Sequence, residues 1–227
     1  MPELPTTPLL GRLGDRSDDV RAVLPDGIDP PSSLPPRMFM AALDTYASCR
    51  RLDMQSLARH LGVGRATLYR RAGNREELLD EVIWWRSRRL VTGQLLAASG
   101  LSGAARIAAV IGGVLRAIER DRPLRFFIEA DPDTALRILT GGRSVTAVGM
   151  TAALERLIDL ERARGCFDPE LDTATLAYVI IRISEGFLYA DVLASRPPDS
   201  GRAITVIRAL LTGLDRAAGE DRASRVH

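Results

Sequence analysis

Apolar residues along this chain recur at three- and four-residue intervals, and no stretch of useful length alternates as a strand would. The clearest case is Met54–Leu79, MQSLARHLGVGRATLYRRAGNREELL. Leu57, Ala58 and Leu61 form one apolar face behind Asp53, which is placed to cap the free backbone N–H groups of a first turn. Gly62 suits the left-handed residue that ends a helix, and Val63 closes the turn from beneath. A second, shorter helix is expected over about Arg65–Arg71, with Leu68 inward and Arg65, Ala66, Thr67, Tyr69 and Arg70 on its outer faces. Asn74 then caps a third helix whose first turn carries Glu76 and Glu77, where the macrodipole favours acids. An earlier helix, about Pro36–Cys49, brings Phe39, Leu43 and Tyr46 to the same small core.

Downstream, glycine and proline punctuate further helical stripes. The helix from Asn74 runs to about Ala98, and Gly100–Gly103 breaks the chain. Ile107, Ile111, Val114, Leu115 and Ile118 form the next stripe, ending before Pro123. Short pieces follow at Leu124–Ala130 and Thr134–Thr140, then a long amphipathic helix over Ser144–Arg164 with Leu154, Leu157 and Ile158 inward. Leu171–Ser195 is the most apolar helix, and Arg202–Ala218 the last. The expected fold is all-α: an N-terminal three-helix unit over 36–82 and a helical second domain over 83–219, ending in a polar tail at 220–227. Residues 1–35, rich in proline, read as a loosely ordered arm in which Asp18–Leu24 forms one helical turn or two. Arg12, Arg16 and Arg21 in this arm are offset by Asp15, Asp18 and Asp19.

Charge sharpens this picture. The whole chain carries a formal charge of only +2, yet Arg37–Arg75 holds eight arginines against Asp44 and Asp53. There is no lysine at all. A basic end on a near-neutral protein, combined with helix–turn–helix spacing, is the footprint of phosphate binding and of a helix delivered to the major groove. Arg65 and Arg70 are the candidates for base edges, since arginine pairs bidentately with guanine. Arg71 reads as solvated or paired within the protein.

Arg37–Val82 resembles the DNA-binding domain of the TetR family of bacterial one-component regulators. The resemblance rests on Ala41-Ala42-Leu43, Leu57-Ala58, Gly62-Val63, Thr67-Leu68-Tyr69 and Glu76-Glu77-Leu78-Leu79. It is most similar to the QsdR-type subgroup, through Leu52-Asp53-Met54-Gln55, Gly64-Arg65-Ala66-Thr67-Leu68-Tyr69-Arg70 and Ser184-Glu185-Gly186-Phe187. The resemblance implies that Arg65–Arg71 is the recognition helix, that Thr67 and Tyr69 sit against the sugar-phosphate backbone, and that Arg75 stands where the family has a phosphate-touching lysine. Three positions depart from the family pattern. Asp53 replaces a serine or threonine cap and would repel phosphate, Ala72 stands where an aromatic is usual, and no glycine separates the first two helices of the unit within Ala47–Leu52.

No chemistry of an enzyme emerges. The two histidines, His60 and His227, stand apart, no cluster has metal-ligand spacing, and no nucleophile elbow, phosphate loop or dinucleotide fingerprint occurs. No metal or other cofactor is expected. Cys49 and Cys166 read as free thiols of a cytoplasmic protein, and no apolar run reaches the length of a membrane span. The family resemblance implies instead a small-molecule effector pocket in the second domain. Its candidate walls are Trp85, Phe126, Phe127, Met150, Leu154, Phe187 and Tyr189, and Tyr178, Arg182, Glu185 and Tyr189 share a helical face that could read an acyl or lactone head, unless Arg182 and Glu185 simply pair. The last two helices have one side too many for a monomer, so a homodimer through them is expected, placing two reading heads on half-sites ~34–36 Å apart on operator DNA. The competing reading is a helical binding protein that senses a lipid or protein partner and carries a degenerate DNA head.

Overall fold

The computed structural model describes residues 14–31, 33–190 and 199–224, and its regular elements are all helical. In chain order they are α1 (Gly14–Val23), α2 (Pro36–Ala47), α3 (Met54–Leu61), α4 (Arg65–Ala72), α5 (Arg75–Ala97) and α6 (Gly103–Arg120). Then come α7 (Arg122–Ala130), α8 (Pro132–Thr140), α9 (Val145–Ala163), α10 (Thr173–Glu185), a π-helical turn at Gly186–Ala190, and α11 (Ser200–Ser224). Arg12, the segment 191–198 and the end of the tail, 225–227, lie outside the described residues.

Short polar side chains start most of these helices. Asp53 accepts the Ser56 N–H at 2.8 Å, Asp121 that of Leu124 at 3.0 Å, and Asp172 that of Thr175 at 2.9 Å. Asn74 and Glu77 form a reciprocal capping box at the start of α5. Each such cap contributes about 1 kcal/mol against an alanine there. Between α2 and α3, where the expected glycine is missing, Cys49 takes the left-handed conformation itself, with φ +52°. That position tolerates a side chain only at some cost in strain.

Two cores form, and they do not divide where the sequence was cut. The first gathers Phe39, Leu57, Leu68, Leu78 and Val82 of the helix–turn–helix unit, but α7 and α8 also turn Phe127, Ile128 and Ile138 into it. The second core holds the end of α5, α6, α9, α10 and α11, with Ile107, Leu157, Ile158 and Leu176 at its centre. Helix α5 runs unbroken through the expected boundary at 82/83 and serves both.

The described part of residues 1–35 corrects the reading of that stretch as a loose arm. Helix α1 lies on α9 and α5, with Val20, Val23 and Leu24 buried in the second core. Its acids find partners far along the chain. Asp19 accepts from Arg106 at 2.7 Å and is also bonded by Arg164. Arg106, only 2% exposed, pairs as well with the fully buried Glu161 at 2.8 Å, and the other Glu161 oxygen accepts the Gly103 N–H at 2.7 Å. The stretch Leu171–Ser195 is corrected too, because regular α-helix ends at Glu185 and a π turn follows.

Arg106→Met would leave the fully buried Glu161 with only the longer contact to Arg164 at 3.4 Å, a loss of up to about 3–5 kcal/mol. Urea denaturation of the full chain should show it, with the double variant Arg106→Met/Glu161→Leu recovering much of the deficit. A second expectation concerns acid. Burial alone would raise the Asp19 carboxyl, but the bonds from Arg164 and Arg106 outweigh it and hold the group below its ordinary range. Its stabilisation is therefore in place above the unfolded value of about 3.9 and is lost as pH falls through the lowered folded value. Asp19→Asn should lower the Tm at pH 7, and the gap to wild type should close as the scan is repeated below about pH 4.

Candidate functional site

Helix α4 is fixed by its inner face. Leu68 and Ala72 are buried beneath it, and Gly73, at φ +68°, ends it where a Cβ would meet the Glu77 carboxylate at 2.0 Å. What remains outward is Arg65, Ala66, Tyr69, Arg70 and Arg71, all exposed, with Thr67 half-buried. Tyr69 shows 41% of its surface to solvent. Arg65, Arg70 and Arg71 make no ion pair or hydrogen bond with any described residue, since α4 carries no acid and none approaches it. Three hydrated, uncommitted guanidinium groups on one short helix suit phosphate and base-edge contacts. Asp53, beside them, spends its carboxylate on the α3 cap, where the Ser56 backbone N–H and hydroxyl hold it below its usual range.

Arg75 sits differently from the place the resemblance implied. Its Nε donates to the Leu52 carbonyl at 2.8 Å and a terminal nitrogen to Asp131 at 2.6 Å. Asp131 lies at the corner between α7 and α8, so this arginine faces the protein rather than open solvent. The pair also lowers the Asp131 carboxyl: burial would raise it, but the hydrogen bonds from Arg75 and Thr134 prevail. Nearby, Arg137 of α8 reaches Glu76 at 3.0 Å.

One turn further along α5, the buried carboxylate of Asp80 takes over the start of α9. It accepts the Ser144 hydroxyl at 2.9 Å, the Val145 N–H at 2.8 Å and the Thr146 N–H at 3.0 Å. The Thr146 hydroxyl returns a bond to the Asp80 carbonyl at 3.1 Å. Charge-assisted bonds to helix N-terminal amides are among the stronger polar contacts available to a protein. They clamp α9 to the helix that carries the reading head.

Behind this clamp lies a cavity of about 110 Å³ between α5, α6, α9 and α10. Helix α5 lines it with Ile83, Ser87 and Val91, α6 with Ile111, Val114 and Ile118, α9 with Thr146, Met150, Leu154 and Leu157, and α1 with Val23. Polar groups are few: Ser87, Thr146, Ser184, Glu185 and Tyr189. The Ser184 hydroxyl is occupied by the Ile180 carbonyl at 2.8 Å. The Tyr189 hydroxyl bonds to no described residue, and burial, aided by Glu185, pushes the phenol well above its ordinary range. Burial also raises the Glu185 carboxyl, against the pull of Arg182. An apolar chamber with one carboxyl raised by burial and one unspent hydroxyl suits a small molecule with an apolar body and a polar head.

Of the residues expected to line such a pocket, Met150, Leu154, Glu185 and Tyr189 do so. The six others lie outside its lining. Trp85, two residues past Ile83, packs partly buried on the first core, edge-on to Phe39 and stacked by Arg89. Phe127 is buried in that same core against Tyr46, and Phe126 borders a shallow surface recess with Arg50, Leu52 and Arg75. Tyr178 is 61% exposed with Arg182 over its ring, and Arg182 pairs with Glu185 at 2.7 Å. Phe187 packs partly buried on the second core without lining the cavity. Ile83, Ser87 and Val91 were missed, although their four-residue spacing marks one face of α5 and was open to detection.

Comparisons with known proteins bear on this arrangement. Residues 49–82 match the family profile described as bacterial regulatory proteins, tetR family, and residues 102–212 match tetracyclin repressor-like, C-terminal domain. No curated protein matches the chain. Among solved structures, the transcriptional repressor QsdR of R. erythropolis, from the TetR family, is similar at 29% identity and a TM-score of 0.69. That likeness covers 78% of this chain and 93% of the other.

The Asp80 clamp is open to direct test. Asp80→Asn replaces an acceptor-only group with one that turns a donor toward N–H groups, and should cost about 1.5–3 kcal/mol. Denaturation would read the loss, and hydrogen exchange should localise it to faster exchange at Val145 and Thr146.

Proposed function

The chain belongs to the TetR family of bacterial transcriptional regulators, and from that premise we propose that it is a homodimeric repressor released from its operator by a small apolar effector. The family is one of DNA-binding regulators rather than enzymes. Among the described residues no helix is long and apolar enough to cross a membrane.

The observation that carries the reading is the outer face of α4. Its arginines are exposed and pair with no described residue, while its inner face is locked into the first core. In this reading Arg65 and Arg70 reach base edges, and Ala66, Thr67 and Tyr69 lie along the backbone of the groove. Arg75 would join them at a phosphate only by leaving Asp131. Dimerisation is supported by the outer faces of α10 and α11. Tyr178 and Val206 are exposed there, and a shallow groove lined by Thr205, Arg208, Ala209, Thr212 and Gly213 runs along α11 and would seat a facing helix.

The effector is proposed to be an acyl- or lactone-like molecule in the chamber between α5 and α9. Its tail would lie along Val114, Met150 and Leu154, and its head would meet Glu185 and Tyr189. A ligand larger than the present space must push its walls apart, and one wall is α5, whose N-terminal turns carry the reading head. Release follows if the molecule binds the spread state better than the operator-bound one.

Fluorescence anisotropy against DNA from upstream of the protein's own gene, beside a scrambled duplex and at two salt concentrations, tests the reading. Binding should prefer the natural duplex and weaken steeply with salt, with a slope of about −0.9 for each phosphate neutralised. Arg70→Ala should cost about 1–3 kcal/mol, roughly fivefold to a hundredfold in Kd, while leaving the Tm within a degree or two. Failure to bind either duplex at low salt would sink the assignment.

A further inference from the structure

Helix α1 lies outside both segments that match family profiles, yet it contributes to the chamber assigned above to the effector. Val23, only 1% exposed, is one of the residues facing that space, and Val20 and Leu24 beside it are buried in the surrounding core. Three apolar side chains are a narrow footing for a helix whose remaining residues are largely polar. The attachment is completed by arginines reaching out from the second domain. Arg106 and Arg164 hold Asp19, and Arg156 reaches the Val23 carbonyl at 3.4 Å. Arg88 of α5 then grips the loop that follows, donating to the carbonyls of Asp26 at 3.2 Å, Gly27 at 2.9 Å and Asp29 at 3.0 Å.

We propose that α1 is the removable outer wall of the effector cavity, that medium-chain acyl or lactone molecules pass in and out when it lifts, and that Val23 sets the length of chain accepted. The inference rests on the effector reading above. Three features of the attachment favour a door over a fixed cladding. The bonds that Arg106, Arg164 and Arg156 make to it are polar, so these partners are rehydrated when it opens. Arg106 keeps Glu161 at 2.8 Å when Asp19 leaves, so no buried cation is stranded. On its C-terminal side the helix continues through Gly27, a left-handed glycine at φ +66° where an added Cβ would meet no described neighbour, which gives the segment a place to swing.

The test uses the full chain and straight-chain γ-lactones of about six to twelve carbons, a range spanning the one-methylene steps an apolar wall can discriminate. Isothermal titration calorimetry gives affinities, and stopped-flow fluorescence of Trp84 and Trp85 gives rates. Val23→Ala should move the preferred lactone to one or two carbons longer. Val23→Trp should weaken binding across the panel by about tenfold or more, the scale on which a pocket wall excludes a misfit. Leu154→Trp, which blocks the cavity from α9, serves as the reference for occupancy. Asp19→Asn lowers the Tm in either case, but a door predicts that association and dissociation both accelerate several-fold.

If Leu154→Trp abolishes binding while both Val23 variants keep the wild-type preference, α1 is not a wall, and the inference is overturned with the effector reading intact. If Val23 shifts the preference but Asp19→Asn leaves both rates unchanged, the door is overturned and the wall stands. Should Val23→Trp fail to fold, Val23→Ala decides alone. If wild type binds no lactone of the panel, the acyl or lactone effector and this inference fall together.

Discussion

Helix α5 buries Leu78, Leu79, Val82 and Ile83 in one core and Val91 and Leu95 in the other, so an unbroken ladder of backbone hydrogen bonds joins the reading head to the chamber wall. With 23 residues it is roughly 34 Å long at the usual rise. A helix shared in this way cannot shift at one end without disturbing the packing at the other, because its buried side chains are packed into both cores. The Asp80 clamp adds a second constraint near the N-terminal end of α5. It ties the first turn of α9, which also lines the chamber, to the same rod. Movement of either cavity wall therefore reaches the helix that carries the DNA-facing unit.

Because the chain has no lysine, arginine performs every cationic task. The guanidinium fork makes this workable: Arg88 spans three backbone carbonyls and Arg106 two carboxylates, arrangements a single ammonium could not reproduce. What separates bolts from readers is the local supply of acid. Arg75, Arg106 and Arg164 lie beside Asp131, Glu161 and Asp19 and are consumed internally. On α4 no such partner exists among the described residues, and the charge is left for an external one.

The helix–turn–helix unit was legible because its signals are local. Asp53, Gly62 and the Asn74–Glu77 box each act within a few residues, and all three stand as expected. The docking of α1 was illegible for the opposite reason. Asp19 reads as a repulsive acid on a stray arm until Arg164, 145 residues away, is brought beside it. Arg75 was misplaced in the same way, because Asp131 lies 56 residues downstream. The chamber was half legible. Met150 and Leu154 lie on the inward stripe of an amphipathic helix, but aromatic bulk drew attention to Trp85, when the phase of α5 selects Ile83, Ser87 and Val91. Phe126 and Phe127 failed for a topological reason, since α7 serves the first core.

The π turn at Gly186–Ala190 has a bearing on how such a chamber arises. A backbone whose N–H groups reach back five residues instead of four accommodates one residue more than the α-helix leading into it. Without that surplus residue, everything after Glu185 would rotate by about 100° about the axis. Leu188 and Tyr189, now turned into the chamber, would face away from it. A single-codon insertion in an ancestral helix could thus recast what a sensor perceives without touching one side chain of the part that reads DNA.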